Sequence, residues 1–212
     1  MTDQENKAKT CMRTYRQGRL IARHSDGIDT RAEDVRFILD PAGGAIIFPL
    51  SSAMMSLEEC VVYVPDESPD DNGDWLELQV ELSADDEVDE ELRDRHYAYH
   101  DRGRPGVWVR ARVAACRFGS TIIDGAEIAP PNTLARIEPA LCRACNADRA
   151  KLAAACFAHR RVHVSEATTV GVDNFGVDVR IALGVLRVEF DARVDDEASA
   201  RQAIARLMET PV

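Results

Sequence analysis

Alternation with a period of two runs through the first two thirds of the chain. In Trp75 to Leu82, Leu76, Leu78, Val80 and Leu82 fall on one face and Glu77, Gln79 and Glu81 on the other. That is the pattern of an antiparallel strand with one buried and one wet face. Val107 to Arg117 repeats it, with Val107, Val109, Ala111 and Val113 inward and Trp108, Arg110 and Arg112 opposite. Val35 to Leu39 and Ala45 to Phe48 flank Asp40-Pro41-Ala42-Gly43-Gly44, whose residues suit a hairpin turn. Cys60 to Val64 reads as another strand and Arg19 to His24 as a weaker one, with helices over Gln4 to Gln17 and Glu87 to His100. Six strands with few helices predict a small antiparallel barrel over residues 1–129.

Pro130-Pro131-Asn132 stops regular structure, and a different pattern follows over residues 133–212. Pro139 suits the first turn of a helix that the alanine-rich stretch carries on to His159. Val164 to Val172, Val177 to Leu183 and Leu186 to Phe190 read as strands, with Asn174-Phe175-Gly176 and Gly184 as turns. Asp195 or Asp196 caps a last helix whose Ala200, Ile204, Leu207 and Met208 form an apolar stripe. The fold class is therefore α+β: a six-stranded antiparallel barrel, closed or nearly closed, then a helix, three-strand, helix unit.

Charge narrows the function. The 212 residues carry 26 Lys and Arg against 37 Asp and Glu, a net charge of −11. Residues 1–132 hold 26 acids and 15 bases, and the remainder holds 11 of each. Such a field repels phosphate backbones and anionic membranes, so neither nucleic acid nor membrane is an expected partner. No apolar run approaches the roughly 20 residues of a membrane span, and Met1 to Lys9 has no signal-peptide character, so a soluble, cytoplasmic protein is expected. Its six cysteines read as reduced thiols.

Four constellations bear on chemistry. Cys142-x2-Cys145 and His159-x3-His163 approach zinc-finger spacing. A single helix from Ala140 to Ala158 would hold Cys142 and His159 about 25 Å apart at 1.5 Å per residue. The cysteines are instead expected to pack as small apolar groups, with Leu141, Cys145, Leu152 and Cys156 on one buried stripe. His96-x3-His100 could take a metal, but no third ligand is marked, and the pair reads as a partly exposed helix face. The acidic loop Asp66 to Asp74 fails the calcium-loop pattern, with Gln79 where the bidentate glutamate should stand. Arg110 and Arg112, beside Trp108, with Arg117 at the strand's end, offer guanidinium groups for an anionic planar ligand. The competing reading pairs them with the chain's own carboxylates.

The stretch Val35 to Leu50 around Asp40-x-x-Gly43-Gly44, and the run from Trp75 through His96 and His100 to Arg117-Phe118-Gly119, resemble the flavin-binding split barrels of the pyridoxamine 5′-phosphate oxidase-like group. Gly171-Val172-Asp173-Asn174-Phe175-Gly176-Val177-Asp178-Val179-Arg180 is similar to the Gly-x-Asp-x-x-Gly-x-Asp-Leu-Arg signature of the small α+β domain fused to such barrels. That fusion is typical of haem-utilisation proteins and of a plastid protein that binds glutamyl-tRNA reductase. The resemblance implies a homodimer, with flavin (FMN) or haem held near the subunit interface. Two departures stand out. The segment Ser51 to Leu57 lacks the His-Thr-x-Asn type sequence and the phosphate-binding cations of flavin binders. The helix motif His-x-Asn-x-Asp-His reads Ala144-Cys145-Asn146-Ala147-Asp148-Arg149, without either histidine. The expectation is a ligand-binding protein of the haem-utilisation type with a degenerate site formed by Arg110, Arg112 and Arg117. The alternatives are an FMN-dependent oxidoreductase and a cofactor-free protein-interaction module.

Overall fold

The computed structural model describes residues 2–24, 29–65, 75–84, 88–103 and 106–209. The loop Asp66 to Asp74 lies outside them. The chain divides into two compact units, residues 1–131 and 132–212.

The first unit is α+β, built on one curled antiparallel sheet. Its strands among the described residues are β1 (Gln17–Arg23), β2 (Thr30–Arg36), β3 (Ile38–Leu39), β4 (Ala45–Leu50), β5 (Glu59–Val64), β6 (Leu76–Ala84), β7 (Val107–Phe118) and β8 (Thr121–Asp124). They lie in the order β2-β1-β5-β6-β7-β4-β3, with β8 on β7. Eight strands thus replace the six expected. Thr30 to Asp34 is exposed on both faces except for a partly covered Glu33, so this edge strand carries no alternation to read. Phe37 then separates β2 from β3 by giving its amide to Arg16 O at 2.9 Å.

The inward faces of β1, β4, β5, β6 and β7 form the core, which Ala8, Cys11 and Met12 of α1 (Asp3–Thr14) help to fill. Between β3 and β4 the hairpin forms at the expected residues. Gly43 and Gly44 take φ of 85° and 74°, and Asp40 accepts from Ala42 N (2.8 Å) and Gly43 N (2.8 Å). α2 (Glu90–His100), capped by Asp89, packs on β3 and β4. Together with α2, Ile38, Ile47 and Trp108 are buried outside the main core.

β7 is not a regular strand. Gln79 pairs with Ala115 but Val80 pairs with Val113, which leaves Ala114 without an opposite residue on β6. This bulge shifts the strand's phase by one residue. Val109, Ala111 and Val113 face the core below it, Cys116 and Phe118 above it.

In the second unit, β9 (Thr168–Asp173), β10 (Gly176–Ile181) and β11 (Gly184–Glu189) form an antiparallel sheet. The short α3 (Gly125–Ile128) closes the first unit, and in the second the expected single helix is broken into α4 (Glu138–Asn146) and α5 (Arg149–Arg160). Asp148 caps α5 by accepting from Lys151 N at 3.0 Å, which stops α4 two residues earlier. α6 (Glu197–Glu209) follows, with Asp196 accepting from Ser199 N at 2.8 Å. Leu141, Cys145, Leu152 and Cys156 are all buried against the strand residues Val172, Val177, Val179 and Val188, despite the break. Burial pushes the Cys145 thiol up, and that of Cys156 to about 11. These thiols pack as small apolar groups. Cys156→Ala is accordingly expected to cost only about 1 kcal/mol in urea unfolding of the full chain.

Candidate functional site

The outward face of β7 carries the three arginines singled out in the sequence. Arg110 and Arg112 stand below the bulge and Arg117 above it, so an odd-numbered residue shares a face with two even-numbered ones. Register decides their partners. Arg112 lies opposite Glu81 and Arg117 opposite Glu77, and each pair forms an ion pair across β6 and β7. Arg117 Nε gives a hydrogen bond of 2.8 Å to Glu77 Oε2. Hydrogen bonding to Glu77, and then its charge, hold the Arg117 guanidinium above its ordinary range. Arg110 pairs instead with Asp40, a buried carboxylate in the β3–β4 hairpin. All three arginines therefore engage the chain's own carboxylates, and they do not converge on one point.

Beside Arg117 a groove of about 610 Å³ opens on β5, β6 and β7. Ala114 and Ala115 form part of its lining, and the exposed Ile122 stands at one side. Glu58, Glu59, Glu77 and Glu81 outnumber Arg117 there. Burial raises the Cys60 thiol, and it drives that of Cys116 to about 12, with Cys11 and Glu77 adding to the rise. Both sulfurs are neutral at physiological pH and neither is an activated nucleophile.

Trp108 is not open for stacking. α2 covers it with His96 edge-on at 5.1 Å and Tyr97 edge-on at 5.7 Å, while the Arg93 guanidinium lies 5.9 Å from the ring. On the helix face expected to be partly exposed, His96 is buried, at 2% exposed, and His100 is half-buried. His96 Nε2 donates to Arg36 O at 2.7 Å and His100 Nε2 to Phe37 O at 2.9 Å. Burial, then the charge of His96, Arg36 and Arg16, push His100 down to about 4 against the pull of its hydrogen bond to Phe37. His96 is lowered by the same burial. Both rings are therefore neutral at pH 7. Among the described residues no group of three or more His, Cys, Asp or Glu side chains is arranged to hold a metal ion.

The residues left from the fused-domain helix motif have structural work. Asn146 clamps the edge strand β9, giving Nδ2–H to Thr169 O (2.9 Å) and accepting from Thr169 N (2.7 Å) on Oδ1. The Gly171 to Arg180 signature forms the β9–β10 hairpin, where Asp173 accepts from Phe175 N (2.7 Å) and Gly176 N (3.1 Å). Asp173 and Asp178 also bind Arg187, at 2.5 and 3.1 Å. Burial opposes the Arg187 charge, yet the two carboxylates more than offset it and hold the pKa above the ordinary range. Glu138 accepts from Val172 N at 2.8 Å, so it and Asn146 act on strand residues far along the chain, while Arg187 meets Asp178 directly across the β10–β11 hairpin.

No family model matches the chain, and no curated protein matches it. Among solved structures, a protein of unknown function from Agrobacterium tumefaciens superposes with a TM-score of 0.76 at 16% identity, over 97% of this chain and 95% of that one. That likeness shows the fold. A haem-binding protein from Mycobacterium smegmatis aligns over 99% of this chain and 97% of that one, with a TM-score of 0.45 and 18% identity. A protein from Clostridium acetobutylicum related to general stress protein 26 of B. subtilis, of the pyridoxinephosphate oxidase family, aligns over 58% and 96%, with a TM-score of 0.38 and 11% identity. The structural neighbours thus include a haem-binding protein and a protein of the pyridoxinephosphate oxidase family. At these identities the likeness is one of fold, and ligand chemistry has to come from the residues present.

Those residues do not fit flavin. The segment from Ser51 to Glu58 supplies no Lys or Arg for a flavin phosphate. The Ser51 amide and hydroxyl bind Glu33 at 3.3 and 2.6 Å, and the nearby Arg31, bonded to Ala53 O, is paired with Asp29 at 2.8 Å. Nor do they fit a protein-ligated haem iron. The groove is lined by no histidine, the His96 and His100 Nε2 atoms are taken by backbone carbonyls, and Cys60 is a neutral thiol. No axial ligand of the usual kind is offered there.

Proposed function

We propose that this protein is a non-catalytic split-barrel binding protein of the haem-utilisation type, with a degenerate site on the outer face of β6 and β7. Its residual ligand chemistry is that of an anionic planar molecule such as a tetrapyrrole, whose carboxylates exchange with Glu81 and Glu77 for Arg112 and Arg117. The observation that carries this reading is that both of these arginines are exposed, Arg112 in a surface ion pair of the weak, exchangeable kind and Arg117 on the half-buried Glu77. Arg110 differs, because Asp40 is buried; its role in this reading is to fix the hairpin. The carboxylates of the groove keep the affinity modest. The protein acts as a homodimer with the ligand near the subunit interface, which light scattering tests directly.

Titration with haem and with metal-free protoporphyrin separates this reading from its alternatives. Without an iron ligand the two should bind with similar affinity, haem should show no Soret shift of a ligated iron, and Arg112→Ala/Arg117→Ala should weaken both. Failure of both to bind would leave the interaction module. A ligated Soret band that survives in the double variant would refute the site, and bound flavin in the purified protein would favour an oxidoreductase.

A further inference from the structure

α2 is fastened to the sheet in an unusual way. Its two polar contacts through histidine run to consecutive carbonyls, Arg36 O and Phe37 O, at the corner where β2 gives way to β3. The rings lie 4.8 Å apart, so each meets the other's charge if both are protonated. His96 Nδ1 is buried and has no hydrogen-bond partner. A proton placed on it would create a charged ring with an N–H that no acceptor receives.

The ionisable surroundings point the same way. From the segment after α1 comes Arg16, and from β2 comes Arg36, both acting on His100. β3 and β4, against which α2 packs, contribute no ionisable side chain. β7 contributes Trp108 and, two residues on, Arg110 in its pair with Asp40. α2 itself brings Arg93 over Trp108, Arg95 over Tyr99, and the titratable Asp94, Tyr97, Tyr99 and Asp101. The charges that act on the two imidazoles are cationic, so the docked helix accepts them only when neutral.

We infer that His96 and His100 form an acid-released latch that holds α2 on the sheet, and that its release uncovers Trp108. At neutral pH the rings donate to the strand corner and the helix is closed. As pH falls below the ordinary histidine range, protonation of either ring favours the undocked helix, in which the imidazolium is hydrated. Trp108 and Tyr97 then lose their cover, while the main core, on the other face of the sheet, is untouched. The latch is independent of the ligand assigned to Arg112 and Arg117.

The chain has two tryptophans, so Trp75→Phe leaves Trp108 as the sole indole reporter. Acrylamide quenching of Trp108 is followed from about pH 7.5 to 4.5, with far-UV circular dichroism alongside. Quenching is expected to rise several-fold below the ordinary histidine pKa while the sheet signal holds. His96→Gln/His100→Gln, which keeps amide donors but does not titrate, should remove the rise. Flat quenching in the parent, an unchanged acid response in the double variant, or loss of the sheet signal in step with Trp108 exposure would each overturn the latch. Should the double variant fail to fold, NMR titration of the parent's imidazoles decides. Rings that titrate with unperturbed pKa values while Trp108 stays covered also exclude it.

Discussion

Arg187→Ala is expected to destabilise the unit of residues 132–212 by about 3–5 kcal/mol, the usual cost of stripping one partner from a buried ionic cluster. The Arg187 side chain is fully buried, and that of Asp178 is 4% exposed. With the guanidinium gone, the buried Asp178 and the half-buried Asp173 lose their shared counter-charge. Asp173 still has two backbone amides to accept from. Replacing the pair by apolar residues of similar size, Arg187→Met/Asp178→Leu, should recover a large part of the stability, since the more deeply buried carboxylate leaves together with its counter-charge. Urea unfolding of the full-length variants measures both. A loss below about 1 kcal/mol for Arg187→Ala would mean that the cluster is hydrated. Arg117→Ala, which removes an exposed guanidinium, should not move the unfolding midpoint.

Gly125→Ala is the second severe change. α3 (Gly125–Ile128) begins where the chain passes over β7, and a Cβ at residue 125 would stand 1.7 Å from Val113 O and 2.6 Å from its carbonyl carbon. Backbone cannot yield as a flexible side chain does. Either α3 lifts from β7 or the strand bends at its bulge, at a cost of about 3 kcal/mol or more. For a chain of this length that corresponds to a fall in melting temperature of roughly 6–12 °C. Thermal unfolding checks it. Gly44→Ala gives a contrast of different origin: its Cβ would meet nothing within 4 Å, so only the left-handed backbone at φ 74° resists it.

Much of this architecture was written locally. The alternation of Leu76, Leu78, Val80 and Leu82, the Asp40 to Gly44 turn, and the stripe from Leu141 to Cys156 depend on neighbours within a few residues, and each stands where periodicity put it. What stayed hidden needs distant partners. Residues 30–34 form a strand only because β1 pairs with them, their own side chains being polar except for Ala32. Ala114-Ala115 says nothing about phase, as alanine suits either face, so the bulge was invisible and with it the register that pairs Arg117 with Glu77. The helix break did leave a trace, Asn146-Ala147-Asp148, a capping residue inside an alanine-rich run. His96 and His100 showed their common face but not the carbonyls waiting for it.

The unpaired Ala114 also constrains how this strand can change over evolutionary time. Side chains on a strand alternate like two interleaved texts, and one unpaired residue acts as a frameshift between them. Deleting Ala114 would remove the bulge and leave Val113, Cys116 and Phe118 inward and Arg117 outward, because Ala115 and Val113 already pair with adjacent residues of β6, Gln79 and Val80. Outward-facing residues on either side of it are free to drift one at a time. The length of the strand changes most readily at the bulge, where losing one residue restores regular alternation and keeps both faces.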